Sequence, residues 1–283
     1  MKTISISIGN GNYRISSDDV YLKQMRSGAK NALNSMVRRA VGMNRFEPRM
    51  AQLFGTLIPT GAHVLDIGAN IGCTTILFAQ MAQTVDAFEP TPQTFEFWRK
   101  NISTCGHTNI RGHHCALGDE NKQSQVSYSD HNRSGAFVMD MVDPGEGSKA
   151  DIEVKRLDDI FPTLELPRVD FIKLDVEGYE GKVIEGGWST IEKYRPVIQL
   201  ELNSWCLNAQ HRISLPDFLD FLIERFPIIY GIEKTSYTDV RNHAGRWLVM
   251  RENILEQRFK EMVVAFDSTQ LESFHKKYSA ITA

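Results

Sequence analysis

The chain is short of cysteine and has no long apolar run. Its four cysteines, Cys73, Cys105, Cys115 and Cys206, are widely spaced and form no C-x-x-C pair. That pattern argues against a disulfide framework or a zinc knuckle and suits reduced thiols. The most apolar stretch, Phe218 to Tyr230, is broken by Asp220, Glu224, Arg225 and Pro227, so no segment is expected to span a bilayer. Lys and Arg gather into no long run. Spots such as Arg38-Arg39 and Lys276-Lys277 read as solvated surface, and a formal net charge of -3 gives no reason to expect nucleic acid as a partner. The opening MKTISISIGNGNYRISSDD has no apolar h-region, so a secretory signal is not expected and a cytoplasmic location is. No repeat and no low-complexity tract is present. What is there, 283 residues at 42% hydrophobic and 24% charged, is ordinary for a soluble globular chain with an ample core.

The most informative stretch runs from His63 to Pro90, HVLDIGANIGCTTILFAQMAQTVDAFEP. Val64, Leu65 and Ile67 form a short apolar run of the kind buried in a parallel sheet. Gly68 to Gly72 makes a turn, Thr74 to Met81 reads as a helix, and Val85 to Phe88 reads as a second strand ending in Glu89. Ligands of open α/β sheets bind outside the carboxyl ends of the strands. Glu89 therefore stands where a carboxylate can accept two hydrogen bonds from a ribose diol.

A dinucleotide site would show Gly-x-Gly-x-x-Gly with a pyrophosphate against a helix N-terminus. Here the pattern is Asp66-x-Gly68-x-Asn70-x-Gly72. An acid at that point repels phosphate and suits a ligand with an ammonium or sulfonium charge. S-adenosylmethionine carries both, has no phosphate, and offers a ribose to Glu89.

A second cluster follows the apolar strand VDFIKL: Asp175-Val176-Glu177-Gly178-Tyr179-Glu180. Three carboxylates crowd one strand end, at the sheet edge that already holds Asp66 and Glu89. Crowding raises the proton affinity of at least one of them, as a general base near neutral pH requires. The plainer alternative is that these are helix-capping and first-turn acids stabilised by the helix dipole.

Around these clusters strands and helices alternate. Met1 to Ile15 suggests a hairpin turning at Gly9 to Asn12, Asp18 to Ala40 one or two helices, and Pro48 to Leu57 a helix with Met50, Leu53, Phe54 and Leu57 on its apolar face. Ile110 to Cys115 reads as the third strand. Residues 123–128 and 136–142 read as strands flanking the polar loop Ser129 to Gly135. Val197 to Leu202 and Ile228 to Ile232 read as later strands, Trp247 to Met250 as the last, and the chain from Asn253 as a helical tail. Alternation with right-handed crossovers predicts a doubly wound α/β fold with a seven-stranded, mostly parallel sheet. The final strand is expected to be antiparallel. A β insertion after strand 3, at 119–156, is expected to cover the acceptor pocket with its polar tip. The expected organisation is a hairpin and helical extension over 1–45, the catalytic domain over 46–252 and the helical tail over 253–283.

Taken together, Asp66 to Gly72, Phe88-Glu89-Pro90, Ala116-Leu117-Gly118-Asp119, Leu157-Asp158-Asp159, Ile172 to Glu180, and Arg195-Pro196 leading to Glu201 resemble the FkbM family of S-adenosylmethionine-dependent methyltransferases, from about Phe46 to Glu201. The resemblance implies a Rossmann-like class I methyltransferase fold and methyl transfer to hydroxyl oxygens, often on sugars or polyketide-like products. It implies that Gly68, Asn70 and Gly72 lie along the methionine part of the cofactor, with Asp66 ordering the loop. Glu89 takes the ribose, Pro90 packs on the adenine, and Ala116 and Leu117 line its other face. Asp175 closes the methionine end and Glu177 faces the acceptor.

A neutral hydroxyl is a weak nucleophile, so a base or a metal should assist it. Asp175 and Glu177 are the candidate bases. Asp175, Glu201 and Asn203 end neighbouring central strands and offer oxygen ligands to a divalent cation such as magnesium or calcium. Glu47 resembles an acidic position in relatives near the methionine or acceptor, with plain N-terminal capping before Pro48 as the alternative. Asn132, beside His131 and Arg133 in the polar loop, and Trp205, which can stack on a sugar ring, complete the acceptor candidates. His113-His114 reads as structural or adenine contact. The leading expectation is an O-methyltransferase acting on a small molecule or glycan. A nucleic-acid or other small-molecule methyltransferase on the same fold, or a cofactor-binding protein without catalysis, are the alternatives.

Overall fold

A computed structural model describes residues 2–18 and 44–281, apart from 131, 141, 143, 144 and 146. The helices expected between Asp18 and Ala40 therefore lie outside the described residues, as does His131. The chain opens with the hairpin β1 (Lys2–Ile8) and β2 (Gly11–Ser17), and β3 (Asn44–Arg45) pairs parallel to β1. Then come α1 (Pro48–Leu57), β4 (His63–Ile67), α2 (Cys73–Ala79), β5 (Thr84–Phe88), α3 (Pro92–Ser103) and β6 (Ile110–His113). Four strands follow, β7 (Ala116–Leu117), β8 (Lys122–Ser129), β9 (Asn132–Val138) and β10 (Ser148–Lys155), and form a sheet of their own in the order β7-β10-β8-β9. After α4 (Leu157–Ile160) come β11 (Phe171–Leu174), α5 (Glu180–Gly186), α6 (Trp188–Tyr194), β12 (Val197–Glu201), α7 (Ser204–His211) and α8 (Leu215–Arg225). The remainder is β13 (Ile228–Glu233), β14 (Ser236–Asp239), α9 (His243–Glu256), β15 (Glu261–Ala265), α10 (Glu272–His275) and β16 (Ser279–Ala280).

The main sheet has nine strands in the order β16-β14-β13-β15-β12-β11-β4-β5-β6. From β6 to β12 the pairs are parallel, and β15 runs antiparallel between β12 and β13. The expected count of seven is thus too low. The added edge strands β14 and β16 are short and polar, SYTD and SA, and give no period-2 signal. The antiparallel strand is also not the expected Trp247 to Met250. That segment lies inside α9, whose Asn242 side chain accepts from Ala244 N and whose buried residues Gly245, Val249 and Asn253 recur at helical spacing. The strand is Glu261–Ala265, EMVVA, inside the stretch expected as a helical tail. Its side chains are buried on both faces of the sheet, Met262 and Val264 on one and Val263 and Ala265 on the other, so it reads as a continuous apolar run rather than an alternating one.

Strand alternation divides the core between the two faces of the sheet. Val64, Val85, Phe171 and Val197 point to one face, against β1, α1 and α2. There Phe54, Phe78 and Phe171 meet edge-on at centroid distances of 4.8, 5.7 and 5.9 Å. Leu65, Ile67, Ile172, Leu174, Ile198 and Leu200 point to the other face, with Val183, Phe218 and Leu222 of α5 and α8 and with Val126, Val138 and Val154 of the smaller sheet. Val126 and Val138 of that smaller sheet line one cavity with Gly68, Glu89 and Asp175, the residues that follow the carboxyl ends of β4, β5 and β11. Among the described residues no helix is long and apolar enough to cross a membrane.

Candidate functional site

The site begins at the β4–α2 turn. Gly68 has φ +82° and its Cα faces the chain after β11, so that an added Cβ would come within 1.9 Å of the Asp175 carbonyl oxygen. Only glycine allows this crossing, which brings the two strand-end loops into contact. Asn70 continues the turn at φ +50°, and its backbone N–H donates to Glu89 Oε2 at 3.0 Å. Glu89 Oε1 accepts from Thr91 N at 2.8 Å. The Glu89 carboxylate is therefore fixed in place before any ligand arrives. Burial pushes its pKa above the ordinary range, against the pull of the Thr91 and Asn70 amides.

Behind the turn lies a strut that the sequence reading missed. Lys173 is buried in β11, and its Nζ donates to the Gly68 carbonyl at 2.8 Å and lies 3.1 Å from Asp175 and 3.6 Å from Asp66. Burial works against its charge, but Asp175 and Asp66 outweigh it and hold the ammonium above the usual lysine range. Asp66 is fully buried and accepts from Thr75 Oγ1 at 2.6 Å. It anchors the turn from below and does not line the cavity, so any charge complement to a cationic ligand would come from other residues.

Those residues are the acids of the cavity itself, which encloses about 990 Å³ of free space, its open mouth included. Glu47, Asp175, Glu177 and Glu201 line one end. Carboxylate oxygens of Asp175, Glu177 and Glu201 lie within 4.8 Å of one another. Burial, then the neighbouring Asp175 charge, pushes Glu177 up to about 7 and Glu201 to about 10. Burial likewise raises Glu261, which pairs across the strand from Glu201, to about 8. Glu201 Oε2 is buried without a hydrogen-bond partner among the described residues. Two of the lining acids have unusual backbones, Glu47 at φ +24° and Glu177 at φ +54°, a strain that clusters at functional sites. Glu47 makes no side-chain cap on α1, which removes the plain capping alternative. Glu177 Oε2 accepts from Cys206 Sγ at 3.0 Å, so α7 steers this carboxylate.

The cavity also has an apolar lining, from Pro90, Ala116, Leu117 and, in the smaller sheet, Val126, Ala136 and Val138. Arg133 and Ser134 also line it. Arg133 is buried, pairs with Asp18 and packs its guanidinium 5.7 Å from the Phe97 ring centroid.

Of the candidates read from the sequence, the cavity gathers Gly68, Asn70, Glu89, Pro90, Ala116, Leu117, Asp175, Glu177, Glu201 and Glu47. Gly72 does not line it; at φ +91° it packs against Trp98 and shapes the turn. Asn203 does not join the acidic cluster, because its Oδ1 caps α7 by accepting from Cys206 N at 3.2 Å. Trp205 lines a separate cavity, and the Asn132 side chain lies outside the described residues. Glu180 turns inward to accept from Val176 N and Gly178 N and so shapes the loop. His113 bonds Asp86 at 2.8 Å and His114 stacks on Phe95 at 4.7 Å, both structural. Besides Lys173, the reading missed Tyr179, whose hydroxyl donates to Asp140 at 2.6 Å, and Arg133. A lysine inside a buried apolar run was a legible signal, since such a charge must be paired; Arg133 gave none.

The model of the methyltransferase FkbM domain matches residues 66–226, more than half of the chain. The chain belongs to the FkbM methyltransferase family. Among curated relatives, methyltransferase 1 of Beauveria bassiana (strain ARSEF 2860) is 29% identical over 152 residues, 45% of this chain and 59% of the relative. Methyltransferase sdnD of Sordaria araneosa is 25% identical over 161 residues, 46% of this chain and 61% of the relative. The chain thus matches less than two thirds of the length of either. The crystal structure of methyltransferase FkbM from Methylobacillus flagellatus KT is 18% identical, with a TM-score of 0.40, over 58% of this chain and 37% of that one.

Proposed function

We propose that this FkbM-family chain is an S-adenosylmethionine-dependent O-methyltransferase whose acceptor is a hydroxyl of a sugar, glycan or related natural product. The observation that carries the reading is the polarity of the cavity. A carboxylate pinned by two backbone amides shares one cavity with a set of apolar side chains and a cluster of acids. Glu89 is set to accept both hydroxyls of a ribose, and Pro90, Ala116, Leu117 and Val138 suit the two faces of an adenine. Gly68 and Asp175 suit the ammonium end of a methionine. Acids at the reacting end favour a sulfonium and disfavour a nucleic-acid backbone.

S-adenosylmethionine supplies an activated methyl group, so the protein mainly has to align donor and acceptor. Glu177 is the proposed base. A carboxylate pushed up to about 7 is ionised in a useful fraction near neutral pH and basic enough to take the acceptor hydroxyl proton as the new C–O bond forms. Asp175, held by Lys173, stands beside it.

A second reading is favoured by the oxygen geometry and by the unpartnered Glu201 Oε2. Asp175, Glu177 and Glu201, rather than the expected set with Asn203, would hold a divalent cation, which would acidify a bound hydroxyl. The test is S-adenosylhomocysteine formation with panels of sugars, glycolipids and hydroxylated polyketides, with chelator and with added magnesium. Product with a hydroxylated acceptor supports the proposal, and loss of product under chelator selects the cation reading. Turnover on amine acceptors alone would contradict O-methylation.

A further inference from the structure

The hairpin of β1 and β2 lies before the stretch that the family model matches, residues 66–226. Its last residues nevertheless reach both the β4–α2 turn and the smaller sheet. The link to the turn runs through Asn101. Thr94, Trp98 and Asn101 make the buried face of α3 at helical spacing, and Asn101 is 1% exposed. Its Oδ1 accepts from Ser16 N at 2.8 Å, and its Nδ2 donates to Ser16 O at 3.1 Å and to Ile71 O at 2.8 Å. The two bonds to Ser16 occupy the edge of β2, which ends the sheet order β2-β1-β3, and covering an edge accounts for them. The third bond does nothing for that edge. It goes to the turn that presents Asn70 N to Glu89.

Within that turn Gly72 N donates to Ala69 O at 3.0 Å. Asn101 fixes the Ile71 carbonyl, and the Ile71 side chain shares an apolar cluster with Ile4, Ile6, Ile8 and Ile15 of the hairpin. The turn is thus tied to Glu89 and, through Asn101, to the hairpin. The link to the smaller sheet is Asp18, one residue past β2. It pairs with Arg133 of β9 and accepts from Gln93 Nε2 of α3 at 2.9 Å. Arg133 lines the cavity; Asn101 and Asp18 do not.

We propose that Asn101 and Asp18 are positioning residues, through which the N-terminal hairpin braces the turn and the smaller sheet in the geometry that binds the cofactor. The inference rests on the S-adenosylmethionine reading. A turn held in place beforehand spares the ligand the cost of ordering it, so loss of the brace is read as lost affinity.

The test measures Tm, and S-adenosylhomocysteine binding by calorimetry, for the full chain and three variants. Asn101→Ala and Asp18→Ala should each weaken binding by about fivefold or more. The Asp18 side chain is 30% exposed, so its variant keeps the test open if Asn101→Ala does not fold. Gln80→Ala is the control. Gln80 fastens the turn end of the hairpin instead, donating to Ile8 O at 2.9 Å and accepting from Asn10 N at 2.8 Å. Its loss should lower Tm and leave affinity within about twofold. No binding by the unmodified chain overturns the cofactor reading and the brace with it. Binding by the unmodified chain, with a smaller loss than that in either folded variant or an equal loss in Gln80→Ala, overturns the brace alone.

Discussion

At the residue scale, the site depends on carboxylates whose surroundings give them different tasks. Glu89 is fixed by the amides of Asn70 and Thr91, and the proposed function assigns it to cofactor binding. Glu89→Ala should weaken S-adenosylhomocysteine binding by roughly 100-fold, the loss of two charge-assisted hydrogen bonds, as read by calorimetry. Glu177 is the group whose proton affinity fits chemistry. Activity should rise with pH through about 7, where its ionised form accumulates. Glu177→Gln should keep cofactor binding, lower kcat by roughly 10²–10³-fold and remove that step from the pH profile. A bound cation would hold Glu177 ionised and shift the step to lower pH. Glu201 is raised to about 10 from an ordinary 4.5. Between those values the folded chain keeps a proton that the unfolded chain gives up, so the stability from this group is full below about pH 4.5 and is lost as pH rises toward 10. Glu201→Gln should therefore raise Tm at pH 8 by roughly 2–5 °C, with little difference from the unmodified protein near pH 4. A lower Tm at pH 8 would show that Glu201 has a stabilising partner.

At the element scale, the turn after β4 and the loop after β11 act as one unit. Gly68 touches Asp175 O, and Lys173 ties Gly68 O to Asp175. Gly68→Ala should cost about 2–4 kcal/mol in urea denaturation, because a Cβ meets backbone and φ is positive, and should abolish cofactor binding. This unit was legible in the sequence, since a glycine turn between two apolar strands and a run of acids after a third are local signals. What was not legible depended on tertiary context. Trp247-Leu248-Val249-Met250 is apolar and suggests a strand, although it lies in α9, whose buried residues follow helical spacing. EMVVA lacks alternation, which hides the strand β15. Asn203 offers a ligand oxygen in the sequence but spends it on capping α7, and the placement of Arg133 in the cavity depends on which elements meet over the strand ends.

At the scale of the whole molecule, the last quarter of the chain completes the sheet. β15 pairs with both β12 and β13, so it supports the strand that carries Glu201. Ending the chain after Gln257 should leave β12 paired only with β11 and β13 only with β14, and abolish the cooperative thermal transition in circular dichroism. A fragment that still unfolds cooperatively would show that the sheet closes without it. The most direct test of the central claim is calorimetry of S-adenosylhomocysteine against the full chain and against Glu89→Ala. One site of saturable binding in the former and binding roughly 100-fold weaker in the latter is the predicted result. No heat with the full chain, or equal binding by both proteins, would contradict it.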